Sequence, residues 1–155
     1  MVPNENPRVD KTVGTTVAAM EVCPGELDLF MFSAATWLTH RIHFDREYAR
    51  TEGFDDLVVH GPLQGAYLSQ MLSVLAVDCG GKVVSLSYRH RHPVYCGQRL
   101  QCSAVVQTVT RSGHDERLDV AVQIAVNETV VTSGQGVLLI PDPPHRAAGG
   151  QESEL

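Results

Sequence analysis

The sequence predicts an α+β domain in which one antiparallel sheet curls over one long helix. Three observations carry this expectation. Leu118, Val120, Val122, Ile124 and Val126 alternate strictly with other residues, the period of a strand with one buried face. Between Gly61-Pro62 and Cys79-Gly80-Gly81, the residues Leu63, Ala66, Tyr67, Leu68, Met71, Leu72, Val74 and Leu75 cover most of a helix's circumference, so this helix is expected to be largely buried. Stretches 83–88, 100–110 and 130–140 are rich in Val, Leu or Thr, and Cys96-Gly97, Ser112-Gly113 and Asn127-Glu128 supply the intervening turns. A sheet of consecutive antiparallel strands must therefore wrap the helix.

The elements follow in order. Residues 1–13 carry Pro3 and Pro7 among polar side chains and read as a flexible arm. Residues 15–22 suit a first strand, and 30–38 and 46–51 suit two short helical pieces. The long helix opens at Pro62, because proline's missing N–H would be unpaired in a first turn anyway. The single domain spans 14–140. Residues 141–155, rich in Pro, Gly and Glu, read as a disordered tail.

Composition bounds the function. The 155 residues include 12 Lys plus Arg against 18 Asp plus Glu, a formal charge of −6, so no basic field draws in nucleic acid. Hydrophobic residues make up 43 % and charged residues 19 %, a balance that supports a packed core and opposes disorder. Cys23, Cys79, Cys96 and Cys102 form no Cys-x-x-Cys pair, and no apolar run is long enough to span a bilayer. The expectation is a soluble cytoplasmic protein with reduced thiols.

Chemistry concentrates in Thr36-Trp37-Leu38-Thr39-His40-Arg41-Ile42-His43-Phe44-Asp45 and in Leu57-Val58-Val59-His60-Gly61-Pro62-Leu63. His40, His43 and His60 with Asp45 supply donor types suited to a metal, but their spacing matches no zinc pattern, and no metal is expected. His90 and His92 alternate on one side of a strand beside Arg89 and Arg91, which reads as a solvated or interface-facing basic stripe.

Ile42-His43-Phe44-Asp45, Tyr48-Ala49, Val58-Val59-His60-Gly61 and Pro93-Val94-Tyr95-Cys96-Gly97-Gln98 together resemble the MaoC-like hydratases and dehydratases of the hot-dog fold. The wording His-Arg-Ile-His-Phe-Asp and Val-Val-His-Gly-Pro-Leu is most similar to the branch of mesaconyl-CoA hydratases and MaoC-N-terminal-type dehydratases. The resemblance covers residues 29–140. It implies a helix wrapped by a sheet, which the periodicity predicts independently. It also implies addition of water to a 2-enoyl-CoA, or its removal from a 3-hydroxyacyl thioester of coenzyme A or an acyl carrier, with no metal or redox cofactor. His43 takes the acid/base position and the Gly61 N–H that of the oxyanion donor. Imidazole suits the first role because it accepts and donates protons near neutral pH. A helix start suits the second because its N–H is unpaired where negative charge develops.

The sequence departs from the family pattern Asp-x-Asn-Pro-x-His at its first position, where Leu38 stands and can neither orient water nor hold a proton. His40, Thr39 and Ser69 are the candidate substitutes. Each also has a structural reading, as a helix cap, a backbone partner and a small packing residue respectively. Trp37 shapes an acyl pocket or fills the core; Arg89 and Arg91 meet coenzyme A phosphates or serve a subunit contact. Asp45 and His60 are expected to order their loops. A non-catalytic subunit supporting an active paralogue is the alternative that Leu38 motivates, and a thioesterase is a further one. A one-sided sheet over one helix leaves apolar edges, so a homodimer, a dimer of dimers or a heteromer with another hot-dog subunit is expected.

Overall fold

The computed structural model describes residues 9–113 and 115–141; residues 1–8 of the predicted arm and 142–155 of the predicted tail lie outside the described residues. The chain runs β1 (Thr16–Val22), α1 (Glu26–Thr36), a 3₁₀ turn (Arg41–His43), α2 (Arg46–Thr51), α3 (Gly61–Asp78), β2 (Lys82–His90), β3 (Leu100–Ser112), β4 (Asp115–Val126) and β5 (Thr129–Pro141). The five strands form one antiparallel sheet in the order β1-β3-β4-β5-β2. Sequence-adjacent hairpins therefore build its centre, while β2 crosses to the far edge beside β5.

The strands stand where alternation predicts them. Leu118, Val120, Val122, Ile124 and Val126 of β4 all face the core, as do Leu100, Cys102, Ala104 and Val106 of β3. The turn between β4 and β5 holds Asn127 and Glu128 at positive φ (47° and 68°), the geometry whose twist matches a tight hairpin. Helix α1 starts at Glu26, earlier than the pattern suggests, because the Asp28 carboxylate reaches back to accept the Gly25 N–H at 2.7 Å and caps the first turn. The described end of the predicted arm meets the domain at two residues: Val9 packs on the core, and Lys11 pairs with Glu116.

Helix α3 lies across all five strands. It buries Leu63, Gln64, Gly65, Leu68, Met71, Leu72, Leu75 and Ala76, but Ala66, Val74 and Val77 face outward, with Val77 73 % exposed. The helix is thus half-buried, where its all-round apolar pattern predicts near-complete burial. One sheet covers one face of a cylinder, so the opposite apolar face stays open in the single chain. Gly65 sets how closely the helix approaches β2: a Cβ there would stand 2.0 Å from the Tyr88 hydroxyl. No helix among the described residues is long and apolar enough to cross a membrane.

Candidate active site

The segment preceding α3 is tied down on both sides. Val59 N–H donates to Val94 O at 2.7 Å and Cys96 N–H to Leu57 O at 2.9 Å, while Val58 N–H donates to Ile42 O at 3.0 Å. These bonds hold the 3₁₀ turn carrying His43 against the entry to α3. His43 Nδ1 lies 2.7 Å from Val58 O. A carbonyl only accepts, so Nδ1 carries the proton and Nε2 keeps its lone pair. Burial holds His43 below the usual imidazole range, with the His40 charge adding to this and the Val58 carbonyl opposing it. The ring is therefore neutral at neutral pH.

His60 lies under His43, ring on ring, with centroids 3.7 Å apart and planes 22° from parallel. It is fully buried, its Nε2 is 2.7 Å from Ser33 Oγ of α1, and its pKa is pushed down to about 4 by burial and by His43. His60 Nδ1 is a buried side-chain atom without a partner among the described residues. A neutral stacking surface results. A charge there would repel any proton arriving at His43.

Gly61 opens α3 with Pro62 behind it, and no backbone acceptor among the described residues meets the Gly61 N–H. A Cβ on Gly61 would stand 2.8 Å from His90 Nε2, so only glycine leaves the helix start open there. His43 and Gly61 line a cleft of about 400 Å³ together with Gln64, His90, Arg91 and His92. Ile42, Phe54, Val58, Val59, Pro93 and Val94 make its apolar walls. The cleft thus joins a proton acceptor, an N–H donor at the positive end of a helix, and room for an apolar chain.

Of the other predicted residues, Arg91 lines this cleft and the rest fall outside it in the single chain. Trp37 ends α1 in the left-handed region at φ 58° and is 82 % exposed, so it neither shapes the cleft nor fills the core. Leu38 is 36 % exposed, and Thr39 is exposed beside it. His40 caps the 3₁₀ turn, its Nδ1 accepting from Ile42 N–H at 3.5 Å. Asp45 caps α2 by accepting the Tyr48 N–H at 3.0 Å, and it also pairs with Arg41. Ser69 is exposed on α3, about 12 Å along the helix from Gly61, and does not line the cleft. Arg89 is exposed and does not line the cleft, whereas Arg91 lines it and donates from Nε to Ser133 Oγ at 3.1 Å.

The residues that sequence reasoning missed are His90, His92 and Gln64. His90 and His92 belong to the basic stripe expected to face solvent or a subunit, and Gln64 stands among the apolar residues of α3. Val131 O instead accepts both Arg91 N–H (2.8 Å) and His92 N–H (3.3 Å), so β2 leaves the sheet after His90 and its alternation ends. The five successive residues His90, Arg91, His92, Pro93 and Val94 then border the cleft. The available signal was the parity of Leu86, Tyr88 and His90, which puts His90 on the helix-facing side.

A family model described as hydroxyacyl-thioester dehydratase type 2 matches residues 2–96. The chain belongs to this dehydratase family. A mesaconyl-C(4)-CoA hydratase of Chloroflexus aurantiacus is 37 % identical over 94 residues, 60 % of this chain and 31 % of that protein. A mitochondrial 3-hydroxyacyl-[acyl-carrier-protein] dehydratase of Arabidopsis thaliana is 30 % identical over 103 residues, 65 % of this chain and 61 % of that one. The matches thus span about a third and three fifths of these two relatives. Among solved structures, an (R)-hydratase of A. caviae superposes with a TM-score of 0.76 over 86 % of this chain and all of its own, at 20 % identity. The ChsH1–ChsH2 complex of Mycobacterium tuberculosis superposes at 0.72 and 17 % identity, covering 83 % of this chain and 98 % of that one. The dehydratase family member described here has the hot-dog fold, the sheet-wrapped helix that the hydrophobic pattern predicts.

Proposed function

We propose that this protein is a hydro-lyase that adds water to a 2-enoyl thioester, or removes it from a 3-hydroxyacyl thioester. One observation carries the reading: His43 Nδ1 is committed to the Val58 carbonyl, which leaves Nε2 with its lone pair on a ring lining the same cleft as Gly61, the first residue of α3. In hydration, Nε2 takes a proton from water as the oxygen bonds to C3. The C2=C3 π pair moves toward the thioester carbonyl, whose oxygen accepts the Gly61 N–H. The imidazolium then returns the proton to C2. Each step uses a group present in the cleft, and none calls on a metal or redox cofactor. Arg91 at the cleft is the candidate for coenzyme A phosphate.

Loss of the enoyl-thioester absorbance on adding the purified protein to 2-enoyl-CoA tests the reading. His43→Ala is expected to lower kcat/KM by about 10²-fold or more. An unchanged rate would overturn the assignment, and release of free thiol would favour hydrolysis instead. The open apolar face of α3 supports assembly into a dimer or a heteromer with a second hot-dog chain. Leu38, which brings no polar group to the site, favours the second reading of a subunit that supports an active paralogue. Full activity of a homodimer excludes that role.

A further inference from the structure

His90 stands beside the oxyanion donor, on the cleft wall formed by the end of β2. Its Nδ1 is 2.9 Å from Thr132 Oγ1, its register partner on β5, and Thr132 Oγ1 in turn donates to Gln64 Oε1 of α3 at 2.7 Å. Thr132 and Gln64 are both buried. A hydroxyl has one proton, and it is spent on Gln64, so Thr132 accepts from His90 and Nδ1 is the protonated nitrogen. The Nε2 lone pair of His90 is thereby left free, just as Val58 O leaves that of His43 free. Gly61 supplies the room: its missing Cβ would stand 2.8 Å from His90 Nε2 and 3.2 Å from Cδ2. Two imidazoles on different elements, each locked in the same tautomer by a different partner, thus line one cleft.

We propose that His90 Nε2 is the second acceptor that holds the reacting water, so that a pair of neutral imidazoles does the work for which Leu38 offers no carboxylate. This rests on the hydro-lyase reading above. Water has two protons to donate and both acceptors lack one. Bonded to His43 and His90 together, the water has its oxygen lone pair directed away from both, toward C3. One O–H proton passes to an imidazole as the C–O bond forms, the other stays on the product hydroxyl, and the imidazolium gives its proton to C2. A structural role accounts poorly for the arrangement, because Thr132 and Gln64 satisfy one another without His90.

The pair has a signature in pH. Both imidazoles must be neutral to accept, so hydration falls as pH drops through both titrations, and log(kcat/KM) approaches a slope of two on the acid limb. The groups facing His90 are Tyr88, Arg91 and His92 from its own strand and its continuation, Thr132 from β5, Gln64 from α3 and His43 across the cleft. None is a carboxylate that would hold it charged, and burial lowers its pKa.

The test uses the full chain with crotonyl-CoA, 2-octenoyl-CoA and 2-dodecenoyl-CoA, followed by enoyl absorbance across pH. His90→Asn keeps an N–H near the Nδ1 position for Thr132 and deletes Nε2. It is expected to lower kcat about 10²-fold with little change in KM, and to reduce the acid-limb slope from two to one. Thr132→Ser, which keeps the lock, is expected to retain the wild-type slope, and Thr132→Val to lose it. Thermal melting at the wild-type temperature separates these effects from unfolding. Wild-type rate and slope in His90→Asn, with activity lost in His43→Ala, would overturn the role of His90 alone. No turnover of any of the three thioesters by the wild type would overturn the hydro-lyase reading and this proposal with it.

Discussion

Gly61→Ala separates the stability of this fold from the working of its site. The new Cβ would meet His90 Nε2 at 2.8 Å and Cδ2 at 3.2 Å, while His90 is held from behind by Thr132 at 2.9 Å. The ring must give way by about 0.6 Å to reach ordinary van der Waals distance, which stretches the Thr132 bond or tips the ring into the cleft. Alanine is compatible with the helical backbone of position 61, and it restricts the unfolded chain, a gain of about 0.4–1 kcal/mol. That gain roughly offsets the cost of moving an open side chain. Stability by urea denaturation is therefore expected to change by less than about 1 kcal/mol. Catalysis is different, because a displacement approaching 1 Å at a reacting group costs up to about 10²-fold in rate. Enoyl-CoA hydration should fall about 10- to 100-fold. Wild-type kcat and KM in a folded Gly61→Ala protein would refute the placement of the thioester at the start of α3.

Three further outcomes follow from the geometry. A Cβ on Gly134 would stand 2.0 Å from Ser87 O and 2.7 Å from Tyr88 Cα, backbone that cannot swing aside, so Gly134→Ala is expected to part β2 from β5 and destabilise by about 3 kcal/mol, read as a shift in the urea midpoint. His60 binds its proton only near pH 4 when folded but near 6.5 when unfolded; its contribution to stability is complete above about 6.5 and is lost as pH falls toward 4, on the order of 2–3 kcal/mol, and His60→Phe should flatten that part of the stability–pH curve. Leu38→Asp places a carboxylate on a loop outside the cleft, so hydration should change less than about twofold; a rise of 10-fold or more would show that the loop closes over the substrate.

Much of this was legible along the chain. The alternation of residues 118–126 is a local property: a strand's side chains point to opposite faces whatever its neighbours are, so period 2 marks the buried face directly. The turn at Asn127-Glu128 was legible for the same reason, since tolerance of positive φ belongs to the residue. His43 and Gly61 were legible through their family wording, and they share the cleft. Where local pattern ran out, the departures have physical causes. The apolar ring around α3 could not reveal that a single sheet covers only half of it, because helical periodicity reports which residues are apolar and not how many surfaces meet them.

The substitutes sought for a carboxylate illustrate the same limit. Thr39, His40 and Ser69 are near His43 or Gly61 in sequence, yet a left-handed turn at Trp37 and the rise of α3 carry them out of the cleft. His90 is nearly fifty residues from His43 and reaches it through strand β2 on the sheet's edge. The sequence by itself determined the element types, the core-facing residues of the strands and the two groups that belong to the family motif, because each depends on residues a few positions apart. Only the tertiary structure decided which nitrogen of each imidazole is free and which second group stands beside Gly61. Those depend on Val58 O, on Thr132 and on Gln64, partners whose nearness to the two histidines is created when 3₁₀ turn, helix and sheet edge close on one another.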